Sequence, residues 1–441
     1  MTVKNIKSTV IYIFIMLNAL SCDYLEVIPD NVATTDYAFK NSIAAEKYLY
    51  GCYSYRPAIG DIQNDPAMTG SDETTQRYVQ MELGTRFVTW GGTKITRGLQ
   101  NANEPIMNTW DGNRSLWVGI RDCNIFLENI GKVRDLMEHN RRRWIAEVKF
   151  LKAYYHYTLM KRYGPVPIVD VNLPISADVT AVQVYREPID DVVNYVIGLI
   201  EEAIPDLPET KEIVEGTEAG RVDKLIAMTL KAEVLLFAAS PLFNGNTDYS
   251  GMKDNKGRQI FPSSYDPNKW QIAADACLEA INAAHEQGKR LYNQLDPLLI
   301  NEHEILQLQT NYRQTICDKW NSELIWGGTN NDCGIMARDA STRIVRMNPY
   351  TLAEVTSEWS PTLGLVNKYY SSNGVPIDED KEWQDNGWYQ NKYSVRPEPS
   401  SGNEIYYIKE GEKTVYLHYN REPRFYASIA FDKGIYFGAG Y

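Results

Sequence analysis

Between Arg56 and Asn108 the chain mixes acids, amides and an arginine with isolated aromatics: Asp72, Glu73, Arg77, Trp90 and Asn101 stand among Gly, Pro and Thr. Those residue types suit recognition of a polyol. A flat ring takes the C–H face of a sugar, and carboxylate, amide and guanidinium groups beside it bond neighbouring hydroxyls at fixed spacing. The same stretch shows no sustained helical period, so it reads as a long irregular excursion. Loops of that length in a compact protein are functional or disordered, and the aromatic content argues against disorder.

Catalysis finds less support. A glycosidase needs two carboxylates about 5–10 Å apart with one held protonated. Asp72 and Glu73 are sequence neighbours, whose side chains diverge in a loop. His139, His156, His285, His303 and His418 occur singly, and none forms an H-E-x-x-H helix or another metal spacing. There is no G-x-S-x-G, P-loop or G-x-G-x-x-G; Gly91-Gly92 and Gly327-Gly328 read as turns. The expectation is therefore a protein that is not an enzyme, with no catalytic residue, metal or cofactor. A net charge of −12 argues against a nucleic-acid partner, because phosphate binding needs a basic field.

The N-terminus reads as an export signal over residues 1–21. Lys4 and Lys7 precede the apolar run Ser8–Leu20, which is too short to span a membrane comfortably, and Ser21-Cys22 follows. A cysteine directly after a small residue makes Cys22 the expected lipidation site, anchoring the mature chain to a membrane without crossing it. Cys52, Cys123, Cys277, Cys317 and Cys333 are widely spaced, with no C-x-x-C. They fit small buried apolar residues better than a disulfide framework or a zinc site.

The elements that must position such loops are helices. Arg141–Pro167 holds two apolar stripes at helical spacing: Trp144, Val148, Leu151, Tyr155 and Leu159 on one side, and Ala146, Phe150, Ala153, Tyr157 and Met160 on the other. A helix with two stripes is covered from both sides. Its charges, Glu147, Lys149, Lys152 and Lys161, fall in the gaps, and His156 fits a hydrogen-bonded core position. Gly164 supplies the C-cap, and Pro165 and Pro167 stop the helix. Further helices are predicted over 33–55, capped at Thr35 or Asp36, and over 113–133, 185–204, 222–239 and 268–287. Helices in pairs suggest tetratricopeptide-like repeats, although the strict ~34-residue period is absent. Beyond Leu291 the texture becomes loop-rich. There 323–328 reads as a strand and turn, 360–370 as a short helix entered through Pro361, and 421–437 as a turn with one or two strands.

The pattern A-E-x-x-F-L-K-A-Y-Y closing on R-Y-G-P-V-P-I resembles the signature helix of the SusD/RagB family of outer-membrane nutrient-binding lipoproteins. AEKYLYGCYSY, C-N-I-F-L-E-N-I at 123–130, S-P-L-F at 240–243, E-L-I-W at 323–326, S-P-T-x-x-L-V at 360–366 and N-R-E-P-R-F-Y-A-S-I at 420–429 follow in the family's order. The resemblance implies a mainly α protein, with a tetratricopeptide-like helical-repeat scaffold and an irregular loop-rich second half carrying a few short strands. It implies one unit over 22–441, its scaffold mainly 33–55, 113–163, 185–243 and 268–288, and its ligand-facing parts 56–112 and 291–441. It also implies a surface-exposed, lipid-anchored outer-membrane protein that binds glycans and passes them to a SusC-like TonB-dependent transporter. A binder of peptide or another nutrient, a structural lid of the transporter, and a surface glycoside hydrolase are the alternatives. Ligand contacts in the family come from the first loop region and from loops after the last scaffold helix, which adds Trp320 and Trp359 to the candidates. Family members usually continue past N-R-x-P-R-F-Y to a late helix pair, so the chain is expected to lack that portion.

Overall fold

The computed structural model describes residues 35–57, 60–62, 65–76, 90–112, 115–174, 176–294, 303–329, 333–342 and 358–435. Residues 1–21, expected to be an export signal, Cys22 and Arg77 lie outside that set. Six longer helices form the scaffold: α1 (Ser42–Tyr53), α2 (Leu116–Asn129), α3 (Glu138–Tyr163), α4 (Ile189–Ala203), α5 (Lys224–Ala239) and α6 (Asn268–Glu286). They pack in succession, α1 on α2, α2 on α3, α3 on α4, α4 on α5 and α5 on α6. The protein is mainly α, as expected.

The two-stripe reading of α3 holds. Val148, Leu151, Tyr155 and Leu159 on one side and Phe150, Ala153 and Met160 on the other are fully buried. The ends are fixed by local chemistry. Arg141 donates from Nη1 to the Ile130 carbonyl (2.6 Å) and from Nη2 to that of Val133 (2.8 Å), closing the turn from α2. Gly164 ends the helix at φ +70°, a conformation that costs glycine nothing.

Two of the charges between the stripes do not meet water. Glu147 and Lys152 are as buried as the apolar residues beside them, at 0% and 2% exposure. Arg221 donates to both Glu147 oxygens (2.7 and 3.1 Å), Arg143 Nε donates at 3.0 Å and Tyr53 Oη at 2.6 Å. Burial works against the Arg221 charge, yet Glu147 holds the guanidinium above its ordinary pKa. Lys152 Nζ reaches the Asp170 carbonyl (2.6 Å) and carboxylate (3.1 Å). His156 is a core residue as expected. Val169 N–H donates to its Nε2 (3.3 Å), so Nδ1 carries the proton and donates to the Lys152 carbonyl (2.8 Å).

Other expectations need revision. The predicted 33–55 helix is interrupted: Asn41, not Thr35 or Asp36, caps α1 by accepting from Ala44 N–H. Residues 323–328 form turns rather than a strand, because Trp326 is drawn into the scaffold against Phe150 and Tyr154 (centroids 5.5 and 5.2 Å). Residues 421–437 supply a helix, α9 (Pro423–Ser428), with Pro423 in its first turn, where a missing N–H costs nothing. Helix α7 (Glu304–Cys317) was not foreseen; it packs on α9, and Arg313 Nε donates to the Ala427 carbonyl (3.0 Å). Cys52 and Cys123 are buried free thiols, but Cys277 is half-buried and Cys317 exposed.

Two stability tests follow from the helix α3 environment. Arg221→Met removes the main partner of a carboxylate that cannot reach water, and should lower the unfolding free energy by about 3–5 kcal/mol in urea titrations. For His156, burial lowers the pKa from 6.5 to about 4. The unfolded chain takes the proton below pH 6.5 and the folded chain only near 4. Stability is therefore full above pH 6.5 and declines between these values, by about 3 kcal/mol from this group. His156→Gln should flatten that part of the pH profile.

Candidate functional site

A short antiparallel seam brings the first loop region to the second half of the chain. Strand β1 (Thr74–Gln76) pairs with β2 (Trp359–Pro361), Thr75 opposite Ser360 and Gln76 opposite Trp359. Thr362 extends the seam: its N–H donates to the Glu73 carbonyl (2.9 Å) and its hydroxyl to the Asp72 carbonyl (2.6 Å). The same hydroxyl accepts from Leu365 N–H and caps helix α8 (Leu363–Lys368). Pro361, expected to open this helix, ends the strand instead. At the far end of α8, Lys368 Nζ lies 3.7 Å from the Asp72 carboxylate, both side chains exposed.

Beside α8 lies an open cleft of about 360 Å³, with Tyr370 and Tyr389 among its walls, Ile377 at its base, and Asn367, Lys368 and Asp378 as its polar groups. Tyr370 is 41% exposed. Asn367 Nδ2 donates to Tyr393 Oη (2.9 Å), while its buried Oδ1 has no partner among the described residues. Lys392 Nζ sits 3.8 Å from the centre of the Tyr389 ring, on a face that an electron-rich π system offers to cations and polarised C–H groups alike.

A separate small core holds this cleft: Val366, Ile377, Trp383, Leu417, Phe425, Tyr426 and Ile429. Its polar pin is Arg421, 3% exposed, whose guanidinium donates to the carbonyls of Val366 (2.8 Å), Tyr369 (2.8 Å), Leu417 (2.9 Å) and Tyr370 (3.3 Å). It takes no carboxylate partner in these bonds, and burial lowers its pKa to about 10. Asp380 caps the helical turn Lys381–Asp385 by accepting from Glu382 and Trp383 N–H groups. The segment carrying Tyr370 is thus fixed from below.

The sequence-derived candidates fall into different places. Asp72, Glu73 and Trp359 meet at the β1–β2 seam. Trp359 is half-buried there, and its Nε1 lacks a partner among the described residues. Trp90 is adjacent, its N–H donating to Gln76 Oε1 (2.9 Å), but the residue is only 2% exposed. Its ring supports the loop and offers no face to a ligand. Asn101 is engaged locally, its Oδ1 accepting from the N–H groups of Asn103 and Glu104. Trp320 adopts φ +51° and lays its ring over Gly327, where a Cβ would collide with it. Tyr370, Tyr389, Asn367 and Asp378 were missed. The one sequence signal near them was the 360–366 segment leading into Tyr369-Tyr370.

Among the described residues no group of three His, Cys, Asp or Glu side chains could hold a metal, and no helix is long and apolar enough to cross a membrane. Fold and cleft together define a helical-repeat protein that presents a loop-built, aromatic-walled site beside its scaffold. Residues 23–224 match the SusD-like family described as starch-binding and associating with the outer membrane. The protein BT4246 shares the fold with a TM-score of 0.71 and 25% identity, over 90% of this chain and 66% of its own. A SusD-like protein (BF3747) of Bacteroides fragilis NCTC 9343 gives 0.58 at 18% identity, over 90% and 62%. A SusD-like carbohydrate-binding protein (BF0978) of the same strain gives 0.55 at 18%, over 88% and 60%. The chain thus spans 60% to 66% of the length of these structures. No curated protein matches it significantly. The chain has the fold of SusD-like proteins, and its residues 23–224 are similar to that family in sequence.

The seam is testable through its shared hydroxyl. Thr362→Ala removes a helix cap and the bond to Asp72 together, at a cost of about 1 kcal/mol. Hydrogen exchange at Thr74–Gln76 should accelerate while α3 is unaffected; unchanged exchange in β1 would show that the seam does not depend on Thr362.

Proposed function

We propose that this protein is a non-enzymatic, cell-surface glycan-binding lipoprotein of the outer membrane. It captures oligo- or polysaccharide at the cleft beside α8 and delivers it to a SusC-like TonB-dependent transporter. The observation that carries the reading is the cleft itself: two tyrosines stand over an apolar base with amide, carboxylate and ammonium groups around them. Sugars ask for this combination, a ring for each C–H face and convergent polar atoms for the hydroxyls. The family's description as starch-binding supports the same class of ligand. Tyr370, Tyr389, Asn367, Lys368 and Asp378 are the contacts assigned here, with Asp72, Glu73 and Trp359 at the neighbouring seam. Arg77 stays a candidate from its place in the sequence. The lipid anchor is assigned to Cys22 and the leader to residues 1–21, with the remainder acting as one unit.

Affinity electrophoresis and calorimetry against a panel of polysaccharides that begins with starch test this directly. Tyr389→Ala and Tyr370→Ala should each weaken binding tenfold or more, equivalent to about 1.4 kcal/mol, Tyr370→Ala with no shift in melting temperature. Absence of binding to every glycan, with peptide binding or transporter association retained, would point to another nutrient or a structural lid. Release of reducing ends would point to a hydrolase. In cell fractionation, Cys22→Ser should move the protein out of the membrane fraction; membrane retention would overturn the anchor.

A further inference from the structure

Helices α1 and α2 face each other along one matched set of positions. On α1 and the turn after it, Tyr48, Cys52 and Tyr55 stand at i, i+4 and i+7. On α2, Gly119, Cys123 and Phe126 do the same, so each trio shares a face. Both ends of the match are in contact. A Cβ on Gly119 would lie 2.9 Å from that of Tyr55, and the Tyr48 and Phe126 rings are 6.5 Å apart between centroids. The helices therefore run antiparallel here, Tyr55 against Gly119 and Tyr48 against Phe126. Asp122 fixes the register, its carboxylate accepting from Tyr55 Oη (2.7 Å) and Tyr48 Oη (3.4 Å).

Midway between these pairs Cys52 meets Cys123. Both are fully buried in the main core, and their thiols are hydrogen-bonded to each other. The Cys52 carbonyl accepts from Tyr155 Oη of α3, which holds that turn from a third side. A disulfide needs Cβ atoms about 3.5–4.5 Å apart. Packed helices usually keep theirs further away, but Gly119 removes a side chain one turn from Cys123 and lets the backbones draw together. Spacing along the sequence conceals the pair, since it depends on the register of two helices separated by the whole 56–108 excursion.

We propose that Cys52 and Cys123 form a disulfide that staples α1 to α2 at the base of the first loop region. The bond closes that region, with Asp72, Glu73, Trp90 and strand β1, into a covalent loop rising from the scaffold. Its formation in cells rests on the exported location proposed above, since disulfides persist in oxidising compartments. The oxidant is a second disulfide, that of an envelope dithiol oxidase or of oxidised glutathione. One cysteine thiolate attacks it, forming a mixed disulfide and releasing the oxidant's first thiol. The other cysteine then attacks the bonded cysteine sulfur and releases the second. Two electrons and the two cysteine protons end on the oxidant, now reduced to thiols. The hydrogen bond to Cys123 and burial raise the Cys52 pKa well above its ordinary value, so the exchange belongs to folding, before α1 closes on α2.

The full chain, purified from the envelope fraction in detergent, is denatured, alkylated without reduction and mapped by peptide mass spectrometry. A cross-linked pair joining the Cys52 and Cys123 peptides and lacking both thiol hydrogens is expected, and reduction should release both cysteines for alkylation. Alkylation of both without reduction, or pairing of either with another cysteine, would overturn the proposal. Refolding the reduced chain in oxidised glutathione tests the pairing apart from location. The same cross-link is expected there even if the chain fractionates with the cytoplasm, and two alkylatable thiols after refolding would sink the staple. Reductant should lower the melting temperature of the wild type by roughly 3–5 °C and leave that of Cys52→Ala/Cys123→Ala unmoved, which separates the covalent bond from the packing of the two side chains. An equal response of the two proteins would contradict the assignment.

Discussion

The carboxylate of Glu147 is sealed from water at the middle of the scaffold, and the layers around it are arranged to satisfy it. Arg221 and Arg143 supply the countercharge, and Tyr53 adds a hydroxyl that in turn accepts from Val222 N–H (3.1 Å). One side chain of α3 thereby fixes the end of α1 and the entry to α5. Further along the helix the sign reverses: Lys152 is buried, and it holds Asp170, whose carboxylate also accepts from Tyr195 of α4 (2.9 Å). Apolar stripes bring helices together at many angles and registers. A buried charge tolerates few, because any partner that slips away leaves it uncompensated in a low-dielectric interior. In this scaffold the stripes supply the adhesion and the two charges set the register.

The loop-rich half is built by a different rule. Its core is small and lies within 366–431, and among the described residues no long helix contributes to it. Rigidity comes from backbone carbonyls gathered on Arg421 and from bonds such as that of Ser371 N–H to the Val375 carbonyl (2.9 Å). Among the described residues it is joined to the rest at the β1–β2 seam and through α7, which lays Arg313 onto the carbonyls of α9. Loops held in this way can change their exposed residues without disturbing the pins beneath them. Tyr370 illustrates the division, its ring at the cleft and its carbonyl on Arg421.

What the sequence disclosed followed from physical period. The two faces of α3 were legible because burial on both sides leaves apolar residues at two sets of helical spacings, and its end was legible because Gly164 and two prolines admit no helix. Glu147 and Lys152 were not, since a charge in a gap between stripes has the same appearance whether it meets water or an ion partner. Helix α7 was hidden by its glutamines and asparagine, one of which, Gln309, is buried. Strands β1 and β2 are three residues each and separated by most of the chain, too short for alternation to register. Trp90 and Trp359 sit in similar local compositions, yet one is enclosed and the other half-open, a difference set by tertiary contacts alone. The cleft escaped for the same reason: Tyr370 and Tyr389 become neighbours only after Arg421 has gathered the segments around it.

The central claim is that α3 is the innermost layer, gripped on both faces and cross-linked by its buried charges. Native-state hydrogen exchange of the full chain across a denaturant series measures this directly. The amides of residues 144–160 should exchange only through global unfolding, as the slowest set in the protein, while α6, whose Ile272, Leu278 and Ile281 are exposed, opens at lower cost. Exchange of the α3 core through a local opening, ahead of α6, would contradict the account.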